Sequence, residues 1–294
     1  MSPEVFLKLF DAQILPILLY GVGWWGTEDC CMIESVHLRA LKSFLGVSLQ
    51  TPNDMVNGDT GRFPLYINAK LRSIKYWLKI IKMDGDRLPN RAFHFMNTPI
   101  KEGSWACKVR NILVECGCEE FWLNQHVSNE NAFLNKVRES LIDRYRSEWH
   151  LQIMSSDRFL SYRTFKVFHG IENYLYFLDK RVFRDAYIRF RMGISELYGH
   201  RFRYEKSNVL HLCPLCKEEE ECDSHFLLYC PALCDIRERY VFVFLDVNQD
   251  DPMKVTMSDN EVKNVRALSL FLHKAFERRR DAVDSAECNI FFCD

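Results

Sequence analysis

Apolar residues recur every three or four positions along most of the chain, and two-residue alternation is rare, which predicts a mainly helical protein. The clearest stretch is 64–83. There Ile67, Leu71, Ile74, Leu78 and Ile81 line one face, and Arg72, Lys75, Lys79 and Lys82 line another. Pro3 opens a first helix that runs to about Gly21, and Thr27 stands where it would cap a second over 28–45, stopped by Gly46. Thr51-Pro52 starts a short third piece, with Gly58, Gly61 and Pro64 marking a loop after it. Further helices are expected over 87–97, 105–116, 131–153, 181–191 and 261–279, and the alternating Arg201-Phe202-Arg203-Tyr204 reads as a strand. Pro99 and Gly103 interrupt the periodicity at 97–103. The expected division is therefore 1–98, a helical connector at 104–200, a small module at 201–240, and a C-terminal helix with an acidic tail at 241–294.

The small module carries the most specific pattern, Cys213-x2-Cys216-x8-His225-x4-Cys230. Three thiolates and an imidazole within eighteen positions can converge on one tetrahedral Zn²⁺. Pro214 and Leu215 fit a tight turn, Asp223 and Ser224 stand as helix caps before His225, and Pro231 stops that helix after Cys230. His211, Cys222 and Cys234 lie close enough in sequence to replace a ligand. A zinc ion held by four side chains has no open position for water, so the expected role is structural. The fold class is thus mainly α: an irregular helical bundle with a small CCHC zinc knuckle, a short hairpin plus helix, near the C-terminus.

Composition narrows the class. Hydrophobic residues make up 48% of the chain, too many for a disordered protein. Twelve cysteines without a basic leader after Met1 point to a reducing, intracellular compartment, nuclear or cytoplasmic. The apolar stretch 14–25 is too short to span a bilayer and is broken by Pro16, Gly21 and Gly23, so no membrane partner is expected. Net charge is −1, but it is segregated. Residues 134–206 hold 15 basic and 9 acidic side chains, whereas residues 207–294 hold 10 and 17.

Within the basic block, Arg181, Arg184, Arg189 and Arg191 interleave with Phe183, Tyr187 and Phe190, followed by Arg201 and Arg203. Cations for phosphates beside rings for bases are the ingredients of single-strand binding, although rings at helical spacing also build cores. The six arginines are expected on one exposed surface, with Lys75, Lys79 and Lys82 as a second patch. No catalytic constellation accompanies them. There is no glycine-rich phosphate loop, no nucleophile elbow and no HExxH. Asp246, Asp250, Asp251 and Lys254 form the nearest thing to a metal-dependent nuclease core, and scattered acids of this kind usually belong to a plain loop.

Several motifs, in order, resemble the region just downstream of the polymerase domain in LINE-type (non-LTR) retrotransposon reverse transcriptases. They are Tyr20-Gly21…Trp25-Gly26, Ile33-Glu34-Ser35-Val36, Leu45-Gly46-Val47, Thr51-Pro52-Asn53, Gly61-Arg62-Phe63-Pro64-Leu65 and Arg189-Phe190-Arg191-Met192-Gly193. The run Cys213-Pro214-Leu215-Cys216…His225-Phe226-Leu227-Leu228-Tyr229-Cys230-Pro231…Arg237 is similar to that family's C-terminal zinc motif. The resemblance covers roughly 10–240. It implies that 1–98 is thumb-like, that the chain is a remnant lacking the family's polymerase and endonuclease sites, and that it helps hold RNA or DNA. The expected function is therefore non-catalytic: zinc-stabilised binding of RNA or DNA, weak and with little sequence preference. The alternatives are a zinc-stabilised protein-interaction scaffold and a non-functional fossil.

Overall fold

The computed structural model describes residues 2–28, 30–202, 210–241, 251–258 and 260–291. Among them the chain is mainly helical, and β pairing is confined to isolated antiparallel bridges. The principal helices are α1 (Cys31–Leu45), α2 (Asn53–Thr60), α3 (Leu65–Ile81), α4 (Leu88–Asn97), α5 (Trp105–Glu115), α6 (Glu130–Ser155), α7 (Arg181–Arg191) and α8 (Val262–Phe291). They fall into two compact units. One takes the described parts of 1–5, 41–61 and 150–294, and the other takes 6–40 and 62–149. The sequence break at 97–103 lies inside the second unit, and the segment 104–200 divides between the two.

The second unit is built around α3. Pro64, at φ −56 and ψ 145, aims the chain into the helix, and the Glu34 carboxylate accepts from the Leu65 N–H at 2.6 Å, satisfying a first-turn donor. Ile67, Ile74 and Leu78 of the apolar stripe are buried together with Trp77 and Ile80, while Leu71 and Ile81 are half-buried. Gly23 lets the short helix Val22–Trp25 lie flush on α3, since a Cβ there would come within 2.9 Å of Tyr76 Cβ. Trp105 stacks on Trp24 with centroids 5.6 Å apart and donates its Nε1–H to Gly23 O at 3.1 Å. Trp77 stacks on Trp122 at 5.6 Å, and Phe93 meets both Trp105 and Trp122 edge-on.

Two expected helices change shape. The one starting at Pro3 is split by a π-helical turn, Phe10–Ile14, whose exit is closed by the Leu15 N–H donating to Phe10 O. Pro16 has no N–H to continue the regular ladder, and the register slips by one residue just ahead of it. The next helix begins at Cys31 and not at 28. Thr27 Oγ1, the expected cap, is buried without a hydrogen bond.

In the first unit α7 packs along α8, with Tyr187, Ile188 and Phe190 buried on one and Leu268, Phe271 and Leu272 on the other. Beside them lies a buried polar network. Asp59 accepts from Tyr162 Oη at 2.7 Å and from Tyr174 Oη, while Glu172 stands between Lys166 and Arg191. The Glu172 N–H donates to Asp59 O at 3.0 Å, joining the two carboxylates' networks through the backbone. The loop expected from Gly58 starts later, because α2 runs to Thr60 and turns at Gly61, in the left-handed region at φ 64. Ile171 N would meet a Cβ on Gly61 at 2.6 Å, so the close approach as well as the turn demands glycine.

Candidate metal centre and basic cleft

The loop between Cys213 and Cys216 is closed at its base by the antiparallel bridge Leu212↔Glu220. The Cys213 N–H donates to Glu219 O at 2.7 Å and the Glu221 N–H to His211 O at 3.0 Å. Lys217, at φ 62, turns the chain after Cys216, and its N–H returns to Cys213 O at 2.8 Å. His225–Tyr229 then forms a π-helical turn in place of a regular helix, and the Cys230 N–H donates to His225 O at 2.7 Å. On a regular helix residues five apart point about 140° away from each other. The wider turn brings His225 and Cys230 to one side, and Pro231 opens the 3-10 turn that follows.

The result is a cluster. One donor atom from each of Cys213, Cys216, His225 and Cys230 lies within 4.8 Å of all the others, and the four could hold a metal ion. Cys213 Sγ is 3.9 Å from Cys230 Sγ, and Cys216 Sγ is 3.4 Å from His225 Nε2. Tetrahedral zinc with thiolate bonds of about 2.3 Å separates its sulfurs by about 3.8 Å, close to the Cys213–Cys230 distance, so the chemistry of the donor set suits that ion. Hydrogen bonding from Cys230 holds the Cys213 thiol down at about 5, and the same bond, together with burial, pushes Cys230 up. His225 is 3% exposed, and its Nδ1 lies 2.8 Å from the Glu219 carboxylate, which leaves Nε2 as the atom facing the sulfurs.

The three spare ligands are occupied elsewhere. Cys222 is exposed, and its Sγ accepts the His225 N–H at 3.4 Å. It thereby takes the capping position expected of Asp223 or Ser224. Asp223 instead binds His200 and accepts from Ser161 Oγ at 2.7 Å. Cys234 is exposed beside Glu238, and His211 stacks on Phe202 with centroids 4.2 Å apart. Arg237 is largely buried and ties the far side of the loop, donating to Leu227 O at 2.9 Å and Cys230 O at 3.1 Å.

The arginines of the basic block do not share one surface. Arg184 and Arg191 are 6% and 3% exposed, and phosphate could not reach either. Arg184 lies over the Phe44 ring and donates to Phe44 O at 3.1 Å, and burial lowers its pKa. Arg191 is enclosed by Glu172, Phe165 O and Met257 O. The physical reason is helical spacing. Arg184, Tyr187, Ile188 and Arg191 fall on one side of α7, the side that packs inward. Tyr187 and Phe190 are fully buried core rings and offer no face to a base. Arg203 and Tyr204 of the expected strand lie outside the described residues, and Arg201 ends the helical turn Tyr198–Arg201 in place of entering a strand.

Arg181, Arg189 and Arg201 are exposed, and together they line an open cleft of about 520 Å³ in the first unit. Lys42, Ser195 and Glu196 also line it. Lys42 is spent on structure, donating to Leu49 O at 2.9 Å and Asn53 Oδ1 at 2.8 Å, and Glu196 faces Arg280 at 3.7 Å. In the second unit, Arg72, Lys75 and Lys79 stand exposed along α3 with no ion pair among the described residues, while Lys82 is paired with Glu130. Of the acids noted as a nuclease-like set, Asp246 and Asp250 lie outside the described residues. Asp251 caps the helix Pro252–Thr256 by accepting the Lys254 N–H at 3.0 Å. No helix among the described residues is long and apolar enough to cross a membrane. No family model, curated protein or solved structure matches the chain.

Proposed function

We propose that this chain is a zinc-stabilised protein that binds single-stranded RNA or DNA through phosphate contacts, without chemistry of its own, and that it derives from the post-polymerase region of a LINE-type reverse transcriptase. The observation that carries the reading is the cleft. Arg181, Arg189 and Arg201 surround it, Arg181 paired with Asp185 of its own helix at 3.5 Å, and the one carboxylate of its lining, Glu196, faces an arginine. A chain of net charge −1 can hold a polyanion only where cations gather locally, and here they do. The exposed Arg72, Lys75 and Lys79 supply a second, sequence-indifferent patch. The support for the origin is the resemblance of the ordered motifs, Leu45-Gly46-Val47 and Cys213-Pro214-Leu215-Cys216 among them.

The test is a salt titration of binding to labelled single-stranded oligonucleotides, read by fluorescence anisotropy. Replacing Arg181, Arg189 and Arg201 together with alanine should lower the slope of log affinity against log salt by about two, at roughly 0.7 per contact. An unchanged slope would show that the cleft does not touch phosphate. Exposed Ile17, Tyr20 and Trp24, at 75%, 86% and 54%, favour protein interaction as the second reading. That reading gains if the wild-type protein shows no salt-dependent binding.

A further inference from the structure

The turn that carries Arg201 is held in part by residues of the metal loop, beside its own bonds to Leu197 O and Ser195. The Tyr198 N–H donates to the Glu221 carboxylate at 2.7 Å, and the Gly199 N–H to Glu221 O at 3.1 Å. His200 Nε2 lies against the Asp223 carboxylate, and its Nδ1 lies 2.7 Å from Ser195 Oγ. Phe202 stacks on His211 and Tyr198 packs beside the same ring at 5.7 Å. Glu221 is itself fully buried and clamped by Arg279, with both bonds at 2.7 Å. So His211, just ahead of the first metal ligand, and Glu221 and Asp223, between the second and third, form much of the seat on which the 198–202 turn rests. Gly199 leaves no slack in that seat, because a Cβ there would lie 2.9 Å from Glu221 O.

We propose that the metal centre governs the basic cleft: the bound ion fixes the 211–225 loop, the loop fixes the turn Tyr198–Arg201, and the turn presents Arg201 to a phosphate of single-stranded nucleic acid. This deepens the nucleic-acid reading above and rests on it. A bound ion would join all four donors at one point, whereas the donors alone offer only the pairwise contacts Cys213 Sγ–Cys230 Sγ and Cys216 Sγ–His225 Nε2, so removing the ion loosens the loop. The turn is then free to leave the cleft wall, while Arg181 and Arg189 stay on α7. Coupling between two ligands is reciprocal, so the oligonucleotide must tighten metal binding by the factor by which metal tightens the oligonucleotide. One phosphate contact to a single strand corresponds to about 0.7 in salt slope, or about fivefold in affinity near 0.1 M salt.

The experiment uses the full chain, zinc-loaded or treated with a chelator, and has two readouts. Amide hydrogen exchange should show Tyr198 and Gly199 protected in the loaded protein and opened by chelation, while the Ile188 amide in α7 stays protected. Binding to a labelled oligothymidylate should lose about 0.7 of salt slope on chelation, and Arg201→Ala should lose the same amount with no further loss on chelation. Gly199→Ala gives the independent variant, keeping one zinc per chain yet showing the reduced slope. Unchanged protection at Tyr198 and Gly199 after chelation overturns the proposal, whatever the binding result. So does an equal slope with and without metal. If the loaded protein binds no oligonucleotide at all, the nucleic-acid reading falls and the phosphate half of this proposal falls with it. The exchange data then still decide whether the metal loop holds the turn.

Discussion

Glu219 reaches across the metal loop to His225: its carboxylate oxygen lies 2.8 Å from Nδ1, while the same residue's backbone oxygen accepts the Cys213 N–H at 2.7 Å. One residue therefore orients the third ligand and anchors the first. With the Nδ1 proton engaged by the carboxylate, the lone pair on Nε2 points toward the sulfurs, which is the tautomer a metal requires.

Removing that orientation should be felt at the metal. Glu219→Ala is expected to weaken zinc binding about 10–100-fold, the usual cost of losing a carboxylate behind a ligating histidine. Competition with a chromophoric chelator measures it. Because the Glu219 side chain is 67% exposed, an unchanged affinity would mean that solvent replaces the carboxylate without loss.

The ligand set has its own test. Cys216→Ser should abolish stoichiometric zinc, whereas Cys222→Ser and Cys234→Ser should each retain one ion per chain by elemental analysis. The distinction follows from where the sulfurs point, since Cys222 caps the turn carrying His225 and Cys234 sits exposed beside Glu238. Zinc kept by Cys216→Ser and lost by Cys222→Ser would reassign the site.

The longer helices are legible in the sequence. The stripe at 64–83 appears as Leu65–Ile81, and the helices expected at 181–191 and 131–153 appear as Arg181–Arg191 and Glu130–Ser155. The four clustered ligands could likewise be read from spacing and turn residues. What could not be read is which cations face inward. Arginine has the same charge on either side of a helix, and only the i, i+3/i+4, i+7 relation of Arg184, Tyr187, Ile188 and Arg191 hinted that two of them belong with buried rings. Nor did local sequence foretell the π-helical turns at Phe10–Ile14 and His225–Tyr229. The second of these depends on a 2.7 Å bond into Cys230, and nothing in the sequence before Pro231 marks it.

The two kinds of arginine should separate in a denaturation experiment. Arg191→Ala removes the buried partner of Glu172 and is expected to cost about 3–5 kcal/mol, because a carboxylate is left desolvated with Lys166 alone. Arg189→Ala, at the exposed face of the same helix, should stay within about 0.5 kcal/mol of wild type. Urea unfolding curves of both variants decide it. Equal stabilities would show that the buried network contributes nothing to the fold.

Gly46 joins the fold to the cleft, and its replacement should disturb both. Its φ is +71, and a Cβ would lie 2.2 Å from Asp185 Oδ1, so Gly46→Ala carries backbone strain and a side-chain clash together. Strain of this kind costs about 1–3 kcal/mol, and displacing Asp185 adds to it. Asp185→Ala in the same chain should relieve the clash and leave the strain, so the pair will be non-additive in a double-mutant cycle. The binding readout follows from Arg189, whose guanidinium donates to Gly46 O at 3.3 Å. When the 46–48 backbone shifts, that arginine loses its seat at the cleft, and the salt slope for oligonucleotide binding should fall even where the double variant regains stability. Recovery of both properties together in the double variant would mean that Gly46 acts through stability alone.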